Sequence, residues 1–355
     1  MCMFYPASYW SNAASHTNNC IEVLIGSTPV GFMMNGNTGV MIFLAITGAG
    51  TYWLSKAEKT KIVNSSINRV FKIVIPMLLS TTIIWLIIKF NCCFFDKALI
   101  KTQSIWYEGY INNFDLYINI FSDFFSQCAI YNGPLWPMRY YLIGFYLALF
   151  VCLISIEDRR RYFATGTIII LLLLKEYYLI PTMAGIIVAE KSEIIKNKKV
   201  NCLNEVIIFL IAIYLGGVPT GMKSDYTFYK YLPIDSVFFK ANGFYIQFYH
   251  MISAVLLLYL TLNSNMAKKI LNANVLQYIG RYSMALFYIH FAVLISLSSF
   301  MFLNLPIEGY NLRVAITILL SLIIMMIIAI SFNYVNNKIV SGVCTINKFL
   351  SYVRF

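Results

Sequence analysis

Long apolar runs recur along the chain, separated by short polar loops. Residues 40–52, 74–88, 142–156, 167–174, 206–215, 252–262, 284–300 and 314–332 contain no Asp, Glu, Lys or Arg. A bilayer core about 30 Å thick needs roughly 20 mostly apolar residues per helical crossing. The runs are continuous rather than alternating. That predicts helices and argues against a transmembrane barrel, whose strands alternate apolar and polar positions. Nine spans follow, near 38–55, 70–90, 134–156, 162–175, 177–189, 203–218, 243–263, 279–300 and 313–334. The expected fold class is an all-α polytopic transmembrane helical bundle forming one domain over 1–355. Lys175 and Glu176 between the short fourth and fifth spans, with Pro181 close behind, predict a tight outer hairpin.

Composition agrees with this pattern: 59% of the 355 residues are hydrophobic and 12% are charged. The net charge of +12 resides in loops. Lys56, Lys59, Lys61 and Arg69; Arg159, Arg160 and Arg161; Lys191, Lys196, Lys198 and Lys199; Lys268 and Lys269; and Lys338, Lys348 and Arg354 fall on alternate connections. The intervening loops mix signs. The positive-inside rule then makes the basic side cytoplasmic, with the C-terminus cytoplasmic in a multi-pass cell-membrane protein. An odd number of spans leaves the first 37 residues outside, which implies that a preceding helix is missing from this chain. No motif or basic arm supports nucleic-acid binding. The lipid bilayer is the partner that composition demands.

The eight cysteines form no Cys-x-x-Cys or Cys/His cluster, so no metal site is expected. Cys92, Cys93 and Cys128 share one long outer loop, as a disulfide or as free thiols. Within that loop, residues 111–125 have the near-helical aromatic and acidic spacing of an interfacial segment.

Polar groups inside spans are candidates for function because each is expensive in lipid. His290 falls near mid-span. It is either bonded to a neighbouring helix or part of a substrate channel. Ser283, seven residues earlier, lies on the same helix face. His250 lies in the outer third of its span, as an interfacial histidine or as part of an outward cavity. His16 sits in the polar stretch 11–19. Histidine titrates near neutral pH without a large shift, which suits a general base. Arg139 and Trp136 mark the outer mouth of the third span, where snorkelling or an aromatic belt also accounts for them. Arg69 and Lys72, followed by Pro76, begin the second span. They serve either as orienting charge or as a clamp for a donor phosphate.

Four segments, in order, resemble the acyltransferase-3 family of integral membrane acyltransferases. Residues 37–48 (NTGVMIFLAITG) are similar to its glycine–hydrophobic–phenylalanine run. Arg69 to Pro76 resembles its Arg-x-x-Arg followed by proline. Residues 133–142 (GPLWPMRYYL) resemble its Leu-Trp-Thr motif, and 282–290 (YSMALFYIH) its Ser-Tyr-Ser-Leu-Tyr-Leu-Ile-His motif. The resemblance implies about ten spans and transfer of an acyl group, commonly acetyl from acetyl-CoA, onto hydroxyls of surface glycans (polysaccharide O-acetylation). It implies that Arg69 and Lys72 hold the phosphates of acyl-CoA, a donor substrate rather than a resident cofactor. Trp136, Arg139, Ser283, Tyr288 and His250 are expected around the acyl path and acceptor, with His290 as the catalytic histidine and His16 as a second candidate base. The chain departs from the family pattern at Thr47 for serine, Lys72 for arginine, Pro137 for threonine and Tyr141 for glutamate. The family's first helix, with its histidine, has no counterpart here. The competing expectation is therefore a truncated, inactive relative or a membrane module that binds or transports.

Overall fold

The computed structural model describes residues 3–5, 20–104, 132–155, 159–194, 201–219, 228–232 and 245–353. The described residues contain helices and no strand. In chain order the α-helices are α1 (Cys20–Ser27), α2 (Gly36–Leu54), α3 (Lys59–Lys89), α4 (Phe95–Thr102), α5 (Pro137–Ile154), α6 (Arg160–Leu173) and α7 (Ile180–Ile194). They continue with α8 (Cys202–Gly216), α9 (Tyr245–Asn263), α10 (Asn265–Leu271), α11 (Asn274–Val293), α12 (Ser299–Asn304) and α13 (Tyr310–Val353). Backbone in hydrocarbon must satisfy its own hydrogen bonds, which accounts for helix wherever the sequence is apolar.

Each expected span falls on helix, and among the described residues five helices are long and apolar enough to cross a membrane. These are Lys59–Lys89, Gly133–Ile154, Ile246–Asn263, Asn274–Asn304 and Tyr310–Val343. Helix α8 is apolar but only 15 residues long, and α6 and α7 have 14 and 15. At 1.5 Å per residue these rise about 21–23 Å, less than the hydrocarbon thickness. Helix α2 has the length, yet carries Asn37, Thr38, Thr47, Thr51 and three internal glycines. Five of the nine expected spans thus meet that length and hydropathy among the described residues, and the other four fall on shorter or more polar helices.

The chain divides into two compact units. One comprises Met1–Ile62 with Tyr140–Asn272, the other Val63–Arg139 with Ala273–Phe355.

The first unit is built on α2 and α7. Buried positions Met41, Leu44, Ala45, Gly48, Ala49 and Tyr52 recur every three or four residues and form one face of α2. Gly185 admits the partner backbone: a Cβ there would stand 2.1 Å from the Ala45 carbonyl oxygen. Small residues let helices approach this closely in a membrane, where dispersion and hydrogen bonds replace the hydrophobic drive. Ala148, Met183, Ile186, Ala254 and Leu258 complete the core. Thr47 and Thr51 return their hydroxyls to the carbonyls of Phe43 and Thr47, which removes the polar penalty inside the helix. Between α6 and α7, Lys175 takes a left-handed conformation (φ 61°) and a 3-10 turn over Tyr177–Leu179 restarts the chain.

The second unit packs α11 against α13. A π-helical turn, Leu294–Ser298, interrupts the line from α11 to α12. Its altered backbone is met from outside: the Phe94 N–H donates to the Ile295 carbonyl at 2.9 Å, and the Ser321 hydroxyl reaches the Ser298 hydroxyl at 2.8 Å. The Arg313 guanidinium donates to the Ile307 carbonyl and secures the turn into α13. Helix α13, with 44 residues, extends about 66 Å, roughly twice the hydrocarbon thickness and well past the expected end near 334.

Candidate functional site

Seven of the residues singled out by sequence lie in the second unit: Arg69, Lys72, Trp136, Arg139, Ser283, Tyr288 and His290. Their scaffold starts at Asn132. This buried side chain donates to the Tyr288 carbonyl at 3.3 Å and to the Ser80 hydroxyl at 3.4 Å, tying the chain just before Gly133 to both α11 and α3. A 3-10 turn over Gly133–Leu135 follows, and Trp136 leads into α5, which begins on Pro137. Proline suits a first helical position because its missing N–H would have no intrahelical partner there. The buried Tyr288 hydroxyl points to the Met138 sulfur at 3.5 Å. The turn bearing Trp136 and Arg139 is thus locked onto the helix bearing Tyr288 and His290.

On α11 the buried face runs Ala285, Tyr288, Ile289 and Ala292. His290 lies beside that face, half-buried. Its Nδ1 is 2.6 Å from the Phe287 carbonyl oxygen. A carbonyl only accepts, so Nδ1 carries the proton and Nε2 holds the lone pair. Four residues on, the π-helical turn begins, a feature frequent at functional sites. Ser283 shares the helix face by spacing, but it is exposed and its hydroxyl donates back to the Gly280 carbonyl at 2.8 Å. Arg69, half-buried, and Lys72, exposed, are one turn apart on α3, four residues before Pro76 in the case of Lys72. Three-residue spacing puts both cations on one side of the helix.

His250 belongs to the first unit and is fully buried. Its Nε2 lies 2.7 Å from the Val218 carbonyl, so Nε2 is protonated and donates. The Asn35 amide donates to the Gly216 and Val218 carbonyls at 3.1 and 3.0 Å. Its 2.9 Å approach to Nε2 therefore joins two donors that share an acceptor. The other ring nitrogen accepts from the Asn37 amide at 2.8 Å, and the Asn37 oxygen accepts from the Tyr178 hydroxyl at 3.1 Å. Both imidazole nitrogens are occupied by neutral groups. In this arrangement His250 cross-links α2, α9 and the chain after α8, and offers no nitrogen to a substrate. Asn35, Asn37 and Tyr178 were not singled out by sequence. Asparagines bordering an apolar run were the available signal.

A second polar cluster in that unit also escaped sequence reading. Glu193 accepts from the Tyr52 hydroxyl at 2.9 Å and the Trp53 indole at 3.1 Å, and pairs with Lys56. Burial pushes its carboxyl up, but the hydrogen bonds from Lys56 and Tyr52 outweigh this and hold it below the ordinary range. The Glu190 carboxylate, which is buried, accepts from the Arg161 backbone N–H at 2.7 Å and caps α6.

His16, Cys128 and the segment 111–125 lie outside the described residues. Cys92 and Cys93 are free thiols, and burial pushes that of Cys93 up to about 11.

Residues 2–330 match the family model described as an acyltransferase domain, the third acyltransferase family of that naming. No curated protein and no solved structure matches the chain.

Proposed function

The chain belongs to the acyltransferase-3 family of multi-pass membrane acyltransferases, and from that premise we propose that it moves an acyl group, acetyl in the simplest case, from acyl-CoA to a hydroxyl of a cell-surface or exported glycan. The family match over residues 2–330 carries this reading. Both compact units then serve one acyltransferase domain over 1–355 in the cell membrane, with the basic loops and the C-terminus cytoplasmic. Donor CoA approaches from that side, and Arg69 and Lys72 take its phosphates. Trp136, Arg139 and Tyr288 line the acyl path.

His290 serves as general base. Its Nε2 lone pair takes the proton of the acceptor hydroxyl as the oxygen attacks the thioester carbonyl. The C–S bond breaks, the new ester C–O bond remains, and the proton passes to the departing CoA thiolate. Neutral donors around the carbonyl would stabilise the developing oxyanion. The hydrogen bond that fixes the His290 tautomer supports this role over His250, whose nitrogens are both engaged.

The test is thiol release from acetyl-CoA, with and without extracted surface glycan, in membranes expressing the chain. Glycan-dependent release that falls on His290→Ala and Arg69→Ala supports the reading. No release above empty membranes, or release unchanged in both variants, rejects it.

A further inference from the structure

The first turn of α6 gathers positive charge where a helix favours negative. Arg159 is its N-cap, Arg160 and Arg161 are its first residues, and the turn holds no acidic residue. The N-terminus is the positive end of the helix dipole, so each cation there is unfavourable. Orientation in the membrane accounts for Arg159, which is exposed. It does not account for Arg160, which is only 5% exposed, because a topology signal gains nothing from burial.

The Arg160 guanidinium lies over the Tyr52 ring, 5.6 Å from its centroid. Its Nε and Nη1 are buried and have no hydrogen-bond partner. The carboxylates described around this turn have cations of their own. Glu193 pairs with Lys56. Glu190 accepts from the Arg161 backbone N–H through Oε2, and its Oε1 stands 3.9 Å from the Arg161 Nε. Ring attraction offsets only part of the desolvation of a guanidinium. Arg160 is therefore the uncompensated cation of the cluster. One acceptor is also uncompensated: the buried Glu190 Oε1 has no hydrogen bond, since 3.9 Å is too long for one. The Arg160 and Glu190 charges both act on the buried Cys152 thiol, so the unpartnered donors and the unpartnered acceptor border one spot. All these residues belong to the first unit.

A ligand that completes the cluster must be anionic, to pair with Arg160, and must carry a hydroxyl, to donate to Glu190. Sulfate, fully ionised, meets only the first demand. A phosphate keeps a P–OH up to its second pKa, about 6 in a monoester. A hydrogen bond from that group to Glu190 would hold the proton in place. We propose that the first turn of α6 binds a monohydrogen phosphate group, inorganic or the monoester headgroup of a lipid, through Arg160, with its P–OH donating to Glu190 Oε1.

The proposal does not rest on acyl transfer, and its test reads binding. The detergent-purified full chain is titrated at pH 6 in chloride with inorganic phosphate or sulfate by calorimetry. Phosphatidic acid and phosphatidylmethanol, a monoester and an anionic diester without a hydroxyl, are titrated by native mass spectrometry. Saturable binding of phosphate or of phosphatidic acid is expected, and whichever binds identifies the source. Sulfate and phosphatidylmethanol should bind ~100-fold more weakly, because neither can donate to the buried carboxylate. R160Q should weaken binding by ~10-fold or more, the loss of one charge-assisted hydrogen bond. E190Q, whose amide can donate, should let sulfate bind as well as phosphate. Sulfate bound by the parent as tightly as phosphate, no binding of any probe, or an R160Q variant that binds like the parent overturns the proposal. Where R160Q fails to fold, the contrast between phosphate and sulfate on the parent decides.

Discussion

Gly48 of α2 and Thr182 of α7 meet backbone to backbone: a methyl group on Gly48 would stand 1.8 Å from the Thr182 carbonyl oxygen. Side-chain rotation cannot relieve that clash, because the obstacle is main chain. With Gly185 against Ala45, it fixes the spacing of two helices that together bury much of the first unit. Gly48→Ala and Gly185→Ala should each destabilise the protein by about 1–3 kcal/mol, the range for overpacking. Gly50→Ala meets nothing within 4 Å and should be neutral or slightly stabilising. Thermal unfolding of the three variants in detergent gives the ranking; equal midpoints would remove the close crossing.

The buried His250 and the half-buried His290 should separate by phenotype. His290→Ala is expected to lower acyl transfer by about 10²–10⁴-fold, the usual contribution of a general base, with the unfolding midpoint little changed. His250→Ala removes the acceptor of the Asn37 amide and one of the two donors to the Val218 carbonyl, which keeps Asn35. Deleting one side of buried hydrogen bonds costs about 1–3 kcal/mol, so a lower midpoint should accompany whatever activity is lost. Parallel activity and melting measurements distinguish the two. A His250 variant with a normal midpoint would refute the cross-linking role.

How much of this was open to sequence reading depends on the range of the interaction. Continuous apolar runs placed the helices because hydropathy is local. Five expected crossings fall on described helices of sufficient length and hydropathy, whereas α6 and α7 are shorter than the bilayer core and α2 is more polar; the contact of α2 and α7 at Gly48 and Gly185 spans 137 residues of chain, which no local pattern reveals. Helix α13 outlasts its apolar run because polar residues continue a helix as readily as they end a span. At the candidate site, periodicity joined Ser283 to His290, yet it could not show that the Ser283 hydroxyl turns back to Gly280. The state of His250 was hidden because Asn35 and Asn37 lie more than 200 residues away in sequence.

Loop charge makes a topology prediction. Single cysteines replacing Arg159 and Lys268 should label from one side of the membrane, and one replacing Asp96 from the other, in a background where native Cys92 and Cys202, both exposed, are removed. Labelling of positions 159 and 268 from opposite sides would contradict the orientation on which the donor side depends.

The Glu193 cluster predicts the acid limit of stability. The folded carboxyl titrates below its ordinary value, so its contribution is fully present above the unfolded pKa and is lost as pH falls through the folded one. For Lys56, burial lowers the pKa but the Glu193 and Tyr52 hydrogen bonds outweigh it and raise it; that contribution is lost only as pH rises through the raised value. The pair therefore stabilises across the neutral range and weakens at the acid end first. Lys56 is 37% and Glu193 29% exposed, so solvent screens the pair and its share is about 0.2–1 kcal/mol. Glu193→Gln should lower the midpoint at pH 7, by an amount that shrinks as pH falls through the folded carboxyl's lowered titration. A deficit that stays undiminished down the whole acid limb would assign the effect to the Tyr52 and Trp53 hydrogen bonds rather than to charge.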